Sequence, residues 1–451
     1  MGLKEWWEDY VNLGLKPGVH KYDGQGELEG HRFHLRVDSE EKGVLLIDAS
    51  KIIFLNGTAL DFTRCALEGR SDHDMTRYML RRYKKVERKK LEKDYAKVRK
   101  QLRHAAEGKL YKLEMMGSDT PAIGTDDLPA PYRMDLALTY ECNNDCGHCY
   151  NEDERLKKEP LSIEQWQKVI DRLWDVGIPH IVFTGGEPTL FKGLRDLVIH
   201  SEDHGQITGM ITNGRNLRKK GYLKDLVKVG LDHVQITVLS HKESVHDKLA
   251  GCEGAWKETI EGLKVALNED LYLNTNTTIM GSNAADMEDT ARFLIGLGVK
   301  NIAFNAIIRS GKGVNTEALT CEELEPLVKK LKAIADEANV TFIWYSPTPY
   351  CEFNPINNGL GIKQCTACSI NMAIEPDGTV LPCQSCYEPL GNILNDPWKK
   401  IWGHKLCKSI RNRKYVPDKC KECNLLDVCG GGCPLALKHG DYICTDKSGS
   451  T

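Results

Sequence analysis

The stretch Leu138-Thr139-Tyr140-Glu141-Cys142-Asn143-Asn144-Asp145-Cys146-Gly147-His148-Cys149-Tyr150 carries three cysteines at C-x3-C-x2-C spacing. Thiolate is the usual protein ligand of iron–sulfur clusters, and three thiolates on one short loop can hold three irons of a four-iron cube. The fourth iron is left open to another ligand. Asn143, Asn144 and Gly147 fill the gaps with small or polar side chains, which lets so short a loop wrap one face of a cluster. A zinc knot is the competing use of such cysteines, but zinc wants a fourth Cys or His to close a tetrahedron. His148 lies inside the loop and is badly placed to supply it.

Outward from this loop, strand-like and helix-like segments alternate from Tyr132 to about Tyr345. Strands are expected at Met134–Thr139, His180–Thr184, Ile207–Thr212, His233–Val238, Leu271–Met280 and Asn301–Ile307, with helices near 162–176, 191–204, 217–230, 255–269, 284–297 and 321–338. Six βα units predict an α/β fold: a parallel sheet curved into a partial (β/α)6 TIM barrel, with its chemistry at the carboxyl ends of the strands. The cysteine loop follows the first strand, where that rule puts a catalytic loop. The second strand ends in Thr184-Gly185-Gly186-Glu187-Pro188. Its two glycines permit close approach of the backbone to a ligand, and Glu187 offers an anionic acceptor.

The cysteine spacing and this GGEP turn together resemble the radical S-adenosylmethionine (SAM) enzymes, in which the open iron is chelated by the amino and carboxylate groups of SAM. The resemblance implies that Gly185, Gly186, Glu187 and Pro188 serve the SAM amino group, and that Asn213, in the ITNG ending of the third strand, lies beside it. Family members often carry a serine near Thr237 that contacts the SAM carboxylate, followed by HDxxRG. Here the motif is HDKLAG, with Ala250 where an arginine is common, so Lys248 is the substitute carboxylate partner. Tyr150 sits where the family places an aromatic ring against adenine, a packed tyrosine at the barrel mouth being the alternative.

Composition sets the bounds. A chain of 451 residues predicts two to four domains, and 41% hydrophobic with 28% charged residues describes a soluble globular protein. A net charge of −3 lacks the cationic surplus of a general nucleic-acid binder. No apolar run reaches the roughly 20 residues that span a bilayer, and MGLKEWWEDY lacks the apolar core of a signal peptide, so no membrane partner and a cytoplasmic location are expected. Seventeen cysteines in that compartment point to metal binding rather than a disulfide framework.

Before the barrel, Arg32–Asp38, Gly43–Ala49 and Lys51–Asn56 read as short antiparallel strands, and Ala59–Leu67, a segment running from Ser71 to Arg82, and about Leu91–Ala106 read as helices. Within residues 1–110 this order, including the VLLID and IIFLNGTA runs, resembles the winged-helix-like peptide-recognition domain of enzymes that modify ribosomally made peptides. There a leader peptide adds a strand to the sheet edge. A structural appendage or nucleic-acid binder is the alternative. The mixed-sign run from Arg81 to Arg103 reads as a solvated helix face, with a dock for an acidic leader as the minor reading. Residues 111–131 read as a linker, 132–345 as the barrel and 346–451 as a third domain.

That last domain is rich in Gly and Pro and holds eleven of the cysteines, so clusters are expected to supply its cross-links. The pattern Cys368-x9-Gly378-x4-Cys383, then Cys420-x2-Cys423-x5-Cys429-x3-Cys433 and Cys444, resembles the SPASM domain of radical SAM maturases, a cysteine-rich domain for auxiliary clusters. The resemblance implies two auxiliary 4Fe-4S clusters, for three in all. Cys368, Cys383 and Cys433 go to the first and Cys420, Cys423, Cys429 and Cys444 to the second. The first cluster's fourth ligand is Cys365, with Cys351, Cys386 or an open iron as alternatives. Cys65, Cys252, Cys321 and Cys407 read as ordinary buried cysteines.

These resemblances imply an enzyme that cleaves SAM to a 5′-deoxyadenosyl radical and installs a thioether or carbon–carbon cross-link in a ribosomally synthesised precursor peptide, with reduced flavodoxin or ferredoxin as electron donor. Formylglycine formation in a sulfatase is the second reading. Against it, the family's sulfatase maturases carry an acid directly after the cysteine matching Cys383, where this chain has Gln384. A non-catalytic iron–sulfur scaffold or leader-peptide carrier is the third, disfavoured by an intact cysteine loop beside GGEP.

Overall fold

The structure, a computed structural model, describes residues 15–39, 41–47, 51–106, 128–151 and 157–439. The chain divides into two compact units, Met1–Pro121 with Leu173–Pro179, and Ala122–Arg172 with His180–Thr451. Most of the expected linker, 111–131, lies outside the described residues.

In the first unit, strands β1 (Gly18–Asp23), β2 (Arg32–Ser39), β3 (Lys42–Ile47) and β4 (Lys51–Asn56) form an antiparallel meander in that order. Alternating Phe33, Leu35 and Val37 join Leu45, Ile47, Ile53 and Leu55 in one apolar cluster with Leu60, Met75, Met79, Tyr95 and Leu102 from helices α1 (Gly57–Leu67), α2 (Asp72–Arg82) and α3 (Arg88–Ala106). Asn56 and Ser71 cap the first two helices by accepting the amides of Ala59 and Asp74. Strand β1 was not expected: GVHKYD has no apolar alternation, and it is recruited by its six-residue pairing with β2. Among the described residues β1 and β4 end this sheet.

In the second unit, seven parallel strands follow in sequence order: β5 (Arg133–Thr139), β6 (His180–Gly185), β7 (Ile207–Thr212), β8 (His233–Thr237), β9 (Tyr272–Ile279), β10 (Asn301–Ala306) and β11 (Thr341–Trp344). Helices α4 (Ile163–Asp175), α5 (Leu194–His204), α6 (Tyr222–Lys228), α7 (Glu243–Ala250), α8 (Ala255–Ala266), α9 (Met287–Gly296) and α10 (Cys321–Glu337) connect them. This is the expected partial barrel with a seventh strand and an extra helix, α7, both too short to be read from periodicity.

The cysteine-rich region does not stand apart from it. Strand β12 (Asn371–Ile374) pairs in parallel with β5, and β13 (Thr379–Leu381) and β14 (Gly391–Asn392) continue the same sheet antiparallel. Met372, Ile374, Val380, Leu381 and Ile393 are fully buried, so this region takes an apolar core from the barrel's edge as well as any cross-links. Strands of two to four residues carry too little alternation to announce this.

Candidate active site

The cysteine loop leaves β5 and crosses directly over the turn that ends β6. The amides of Gly186 and Glu187 donate to the carbonyls of Thr139 and Glu141 at 2.8 and 2.9 Å. A Cβ on Gly185, whose φ is +131°, would sit 2.1 Å from the Thr139 oxygen, and one on Gly186 would sit 2.3 Å from that of Glu141. The two glycines therefore let two backbones cross, which fixes the start of the cysteine loop on the strand ends. From the other side, Asp145 and Gly147 donate to the carbonyls of Ala250 and Leu249 at the end of α7.

Glu187 is fully buried, and its carboxylate accepts hydrogen bonds from the protein on both oxygens. One oxygen accepts the Thr189 amide (3.1 Å), the Thr189 hydroxyl (2.6 Å) and the Thr212 hydroxyl (2.7 Å), and the other accepts the Asn213 amide at 2.8 Å. Burial pushes its pKa up, and these four donors oppose the push. Pro188 opens the short turn that Glu187 caps. Asn213 in turn donates its Nδ2 to Asn143 Oδ1 at 2.6 Å inside the cysteine loop. Glu187 thus braces the turns after β6 and β7 against each other, and Asn213 links that brace to the loop.

Arg215 was missed in the sequence, although it directly follows ITNG. Its guanidinium donates to the Asn143 carbonyl, to Asn144 Oδ1 (2.8 Å) and to Glu258 (2.7 Å), and lies 3.3 Å from Cys252 Sγ. This places a permanent positive charge against the loop that would carry an anionic cluster. The turn after β10, Gly311–Asn315, was missed too. Lys312 pairs with Asp145, and Thr316 donates to the Gly147 carbonyl. Its RSGKG sequence signals a turn and nothing more.

Within the loop, Cys146 rests on an apolar bed of Leu239, Ala250, Ala255 and Met280. Burial, then the neighbouring Cys149 and Cys142, push its thiol up to about 12. Such thiols ionise readily only when a cation takes the charge, which is what iron provides. The amides of Asn144 and Asn151 point at Cys142 and Cys149 sulfurs, both at 3.4 Å, contacts that suit cluster ligands. Among the described residues these three cysteines do not draw together to single-ion spacing, with or without His148. His148 is kept neutral by burial, its pKa lowered to about 4. The loop fits a cluster, not a zinc ion.

Of the other expected SAM contacts, Thr237 stands half-buried at the end of β8, in register with Asn276. Tyr150 donates its hydroxyl to Gln384 Oε1 at 2.8 Å and lines a narrow cleft with Tyr140, Thr184, Gly185 and Glu375. Lys248 is exposed on α7. Beside it, His246 accepts the Leu239 amide and Asp247 accepts those of Gly254 and Trp256, so the HD pair fastens loops. The inner barrel wall is amide-rich: Asn274 donates to Gln235 (3.2 Å), and Thr278 to Asn305 (3.3 Å), while Leu273, Thr275, Thr277 and Ile279 are buried on the other face of β9.

Two further thiol groups form in the cysteine-rich region. Cys365, Cys383, Cys386 and Cys433 lie close enough to raise one another's pKa values, burial being the larger cause at Cys365 (to about 12) and at Cys383 (well above the usual range). Cys386 therefore joins Cys365, two of the alternatives the sequence left open. Cys368 stands elsewhere. It is disulfide-paired with Cys407, with 5.2 Å between Cα atoms, and takes no place among those four. The left-handed backbone at Cys368 (φ +56°) turns the chain into β12, and the Arg411 guanidinium holds its carbonyl at 3.1 Å. Cys407 is accordingly not a lone buried thiol. The second group holds Cys420, Cys423 and Cys429, with burial and then its two neighbours raising the Cys420 pKa. The Tyr350 amide donates to Cys429 Sγ at 3.3 Å. Cys444 lies outside the described residues.

Residues 136–294 match the radical SAM superfamily, and residues 365–424 match the SPASM iron–sulfur cluster-binding domain. The chain is a radical SAM enzyme with a SPASM domain, and SAM and a 4Fe-4S cluster are its cofactors. It is 27% identical to the PqqA peptide cyclase of Bradyrhizobium diazoefficiens over 337 residues, 70% of this chain and 86% of the relative. It is 28% identical to the Fe-coproporphyrin III synthase of Methanosarcina barkeri over 324 residues, 65% of this chain and 81% of the relative. Its fold is similar to that of Streptococcus suis SuiB in the crystal structure bound to precursor peptide SuiA, with a TM-score of 0.67 at 18% identity, covering 95% of this chain and 99% of the other. Among the described residues no helix is long and apolar enough to cross a membrane.

Proposed function

We propose that this enzyme is a peptide maturase that installs a thioether or carbon–carbon cross-link in a ribosomally synthesised precursor peptide. When bound at the cysteine loop, the cluster and SAM supply a 5′-deoxyadenosyl radical, the cofactor's own hydrogen-abstracting chemistry. The chain's residues do the rest. Glu187, Asn213 and Arg215 hold the loop at the strand ends. Gln235, Asn274, Asn276 and Asn305 offer uncharged donors and acceptors along the inner wall. The observation that carries the peptide reading is Asn276, whose Oδ1 is buried without a partner in that wall, as an acceptor for a peptide N–H would be. The peptide named in the PqqA relative and the precursor peptide in the SuiB structure support it.

The two thiol groups around Cys383 and Cys420 would hold two auxiliary clusters, three clusters in all, with reduced flavodoxin or ferredoxin as donor in the cytoplasm. The first unit would take the leader peptide as an added strand at β1 or β4, the strands that end its sheet. The sulfatase reading is weakened further by Gln384: an amide cannot accept the proton an acid at that place would take, and its oxygen already accepts from Tyr150.

The test uses the reconstituted enzyme, SAM, a reductant and a short precursor peptide carrying a leader segment. Loss of two hydrogens from the peptide per deoxyadenosine formed is expected. SAM cleavage with no change of peptide mass refutes the cross-link. Deleting residues 1–110 should abolish tight peptide binding by fluorescence anisotropy, and leave uncoupled deoxyadenosine formation; equal peptide affinity refutes the leader-binding role.

A further inference from the structure

On the outside of the barrel, Asp171 of α4 faces His200 and His204 of α5. Both imidazole Nε2 atoms converge on one oxygen, Asp171 Oδ1, at 2.7 and 2.8 Å. Among the described residues this is the group of three potential ligands whose donor atoms all lie within 4.8 Å of one another. The two histidines are four residues apart on one helix face, a spacing that directs two imidazoles at a single ion. Their rings stand edge to face at 5.2 Å, and each is about a quarter exposed, so an ion can enter from solvent.

We propose that Asp171, His200 and His204 form a binding site for one divalent first-row transition ion, with Zn2+ the best fit, separate from every cysteine site. Two imidazoles and one carboxylate are a borderline ligand set that suits Zn2+ and leaves a fourth position for water. An ion among them needs each imidazole nitrogen to move about half an ångström further from the Asp171 oxygen, exchanging two N–H···O hydrogen bonds for coordination. His204 lies in the last turn of α5, where the unpaired carbonyl ends favour a cation. The neighbouring Arg172 is directed instead to the carbonyls of Ile393 and Asp396. Because α5 returns against the strand it follows, its carboxyl end lies at the opposite end of the barrel from the cysteine loop. The ion would therefore clip α4 to α5 and take no part in SAM cleavage.

Holoenzyme with its clusters loaded, so that thiols do not compete, is treated with a weak chelator and titrated anaerobically with ZnCl2 by calorimetry. One Zn2+ per chain is expected. His200→Ala/His204→Ala should bind none, and Asp171→Asn should weaken binding at least about tenfold, since loss even of a ligand's supporting partner costs about 10–100-fold. Iron content and SAM cleavage should not change in either variant. Co2+ in place of Zn2+ should give visible ligand-field bands in the wild type that the double variant lacks, and Zn2+ should raise the wild-type melting temperature alone. If the wild type binds no Zn2+, or the double variant binds it equally, the three groups are a hydrogen-bonded cluster and the proposal is wrong.

Discussion

The Glu187 carboxylate accepts the Asn213 amide at 2.8 Å, and Asn213 passes the link to Asn143 of the cysteine loop. A residue in that position controls the shape of the loop as well as any ligand beside it. Glu187→Ala should therefore lower the melting temperature, SAM affinity and iron at the first site together. Each buried donor left unpaired costs about 1–3 kcal/mol. Calorimetry of SAM binding beside iron analysis checks this: lost SAM affinity with unchanged iron and melting temperature would make Glu187 a ligand contact instead of a brace.

Arg215 holds the loop from the other side, through Asn143 and Asn144. Arg215→Met keeps much of its volume and removes the charge and the bonds. The expected result is faster loss of about four of roughly twelve irons on exposure to a chelator, the auxiliary sites being spared. Uniform loss from all sites, or none, speaks against a local role.

In the cysteine-rich region, Cys386→Ala should release the iron of one auxiliary cluster, about four per chain, because Cys386 stands among Cys365, Cys383 and Cys433. Cys368→Ser should keep that iron, since Cys368 is engaged with Cys407. Iron analysis and electron paramagnetic resonance of the two variants decide it, and iron loss in Cys368→Ser alone reverses the assignment.

His233 is half-buried at the start of β8, its ring 2.8 Å from His180, and loss of solvent around it followed by the Arg133 charge pushes its pKa down to about 3. The unfolded chain takes up this proton near pH 6.5, and the folded one does not until about 3. Between those values the unfolded state binds more protons, so stability falls as the pH drops through that window. At about pH 5 the loss is on the order of 2 kcal/mol. His233→Gln should show a smaller fall in melting temperature than the wild type between about pH 7 and pH 5. Equal falls would show that the ring titrates normally.

Local chemistry was legible in the sequence. The strands and helices of the barrel, its cysteine loop and the GGEP turn follow from spacing and periodicity, because each is a property of residues adjacent in the chain. The amide-rich inner wall was not, because Gln235, Asn274 and Asn305 become neighbours only when β8, β9 and β10 pair. Arg215 was overlooked for a similar reason: an arginine after a turn is unremarkable until folding brings Asn143, Glu258 and Cys252 around it.

By itself the sequence determined that this chain is a barrel with an open-iron cysteine loop at the first strand's end and a cysteine-rich region behind it. Only the tertiary structure decided which thiols stand together, that Glu187 braces two neighbouring turns, and that Asp171 meets two histidines outside the barrel. The physical reason is that ligand spacing along a chain limits which groups can meet only over short loops. Cys368 and Cys407, separated by 39 residues, are brought together by burial and strand pairing that no local pattern records.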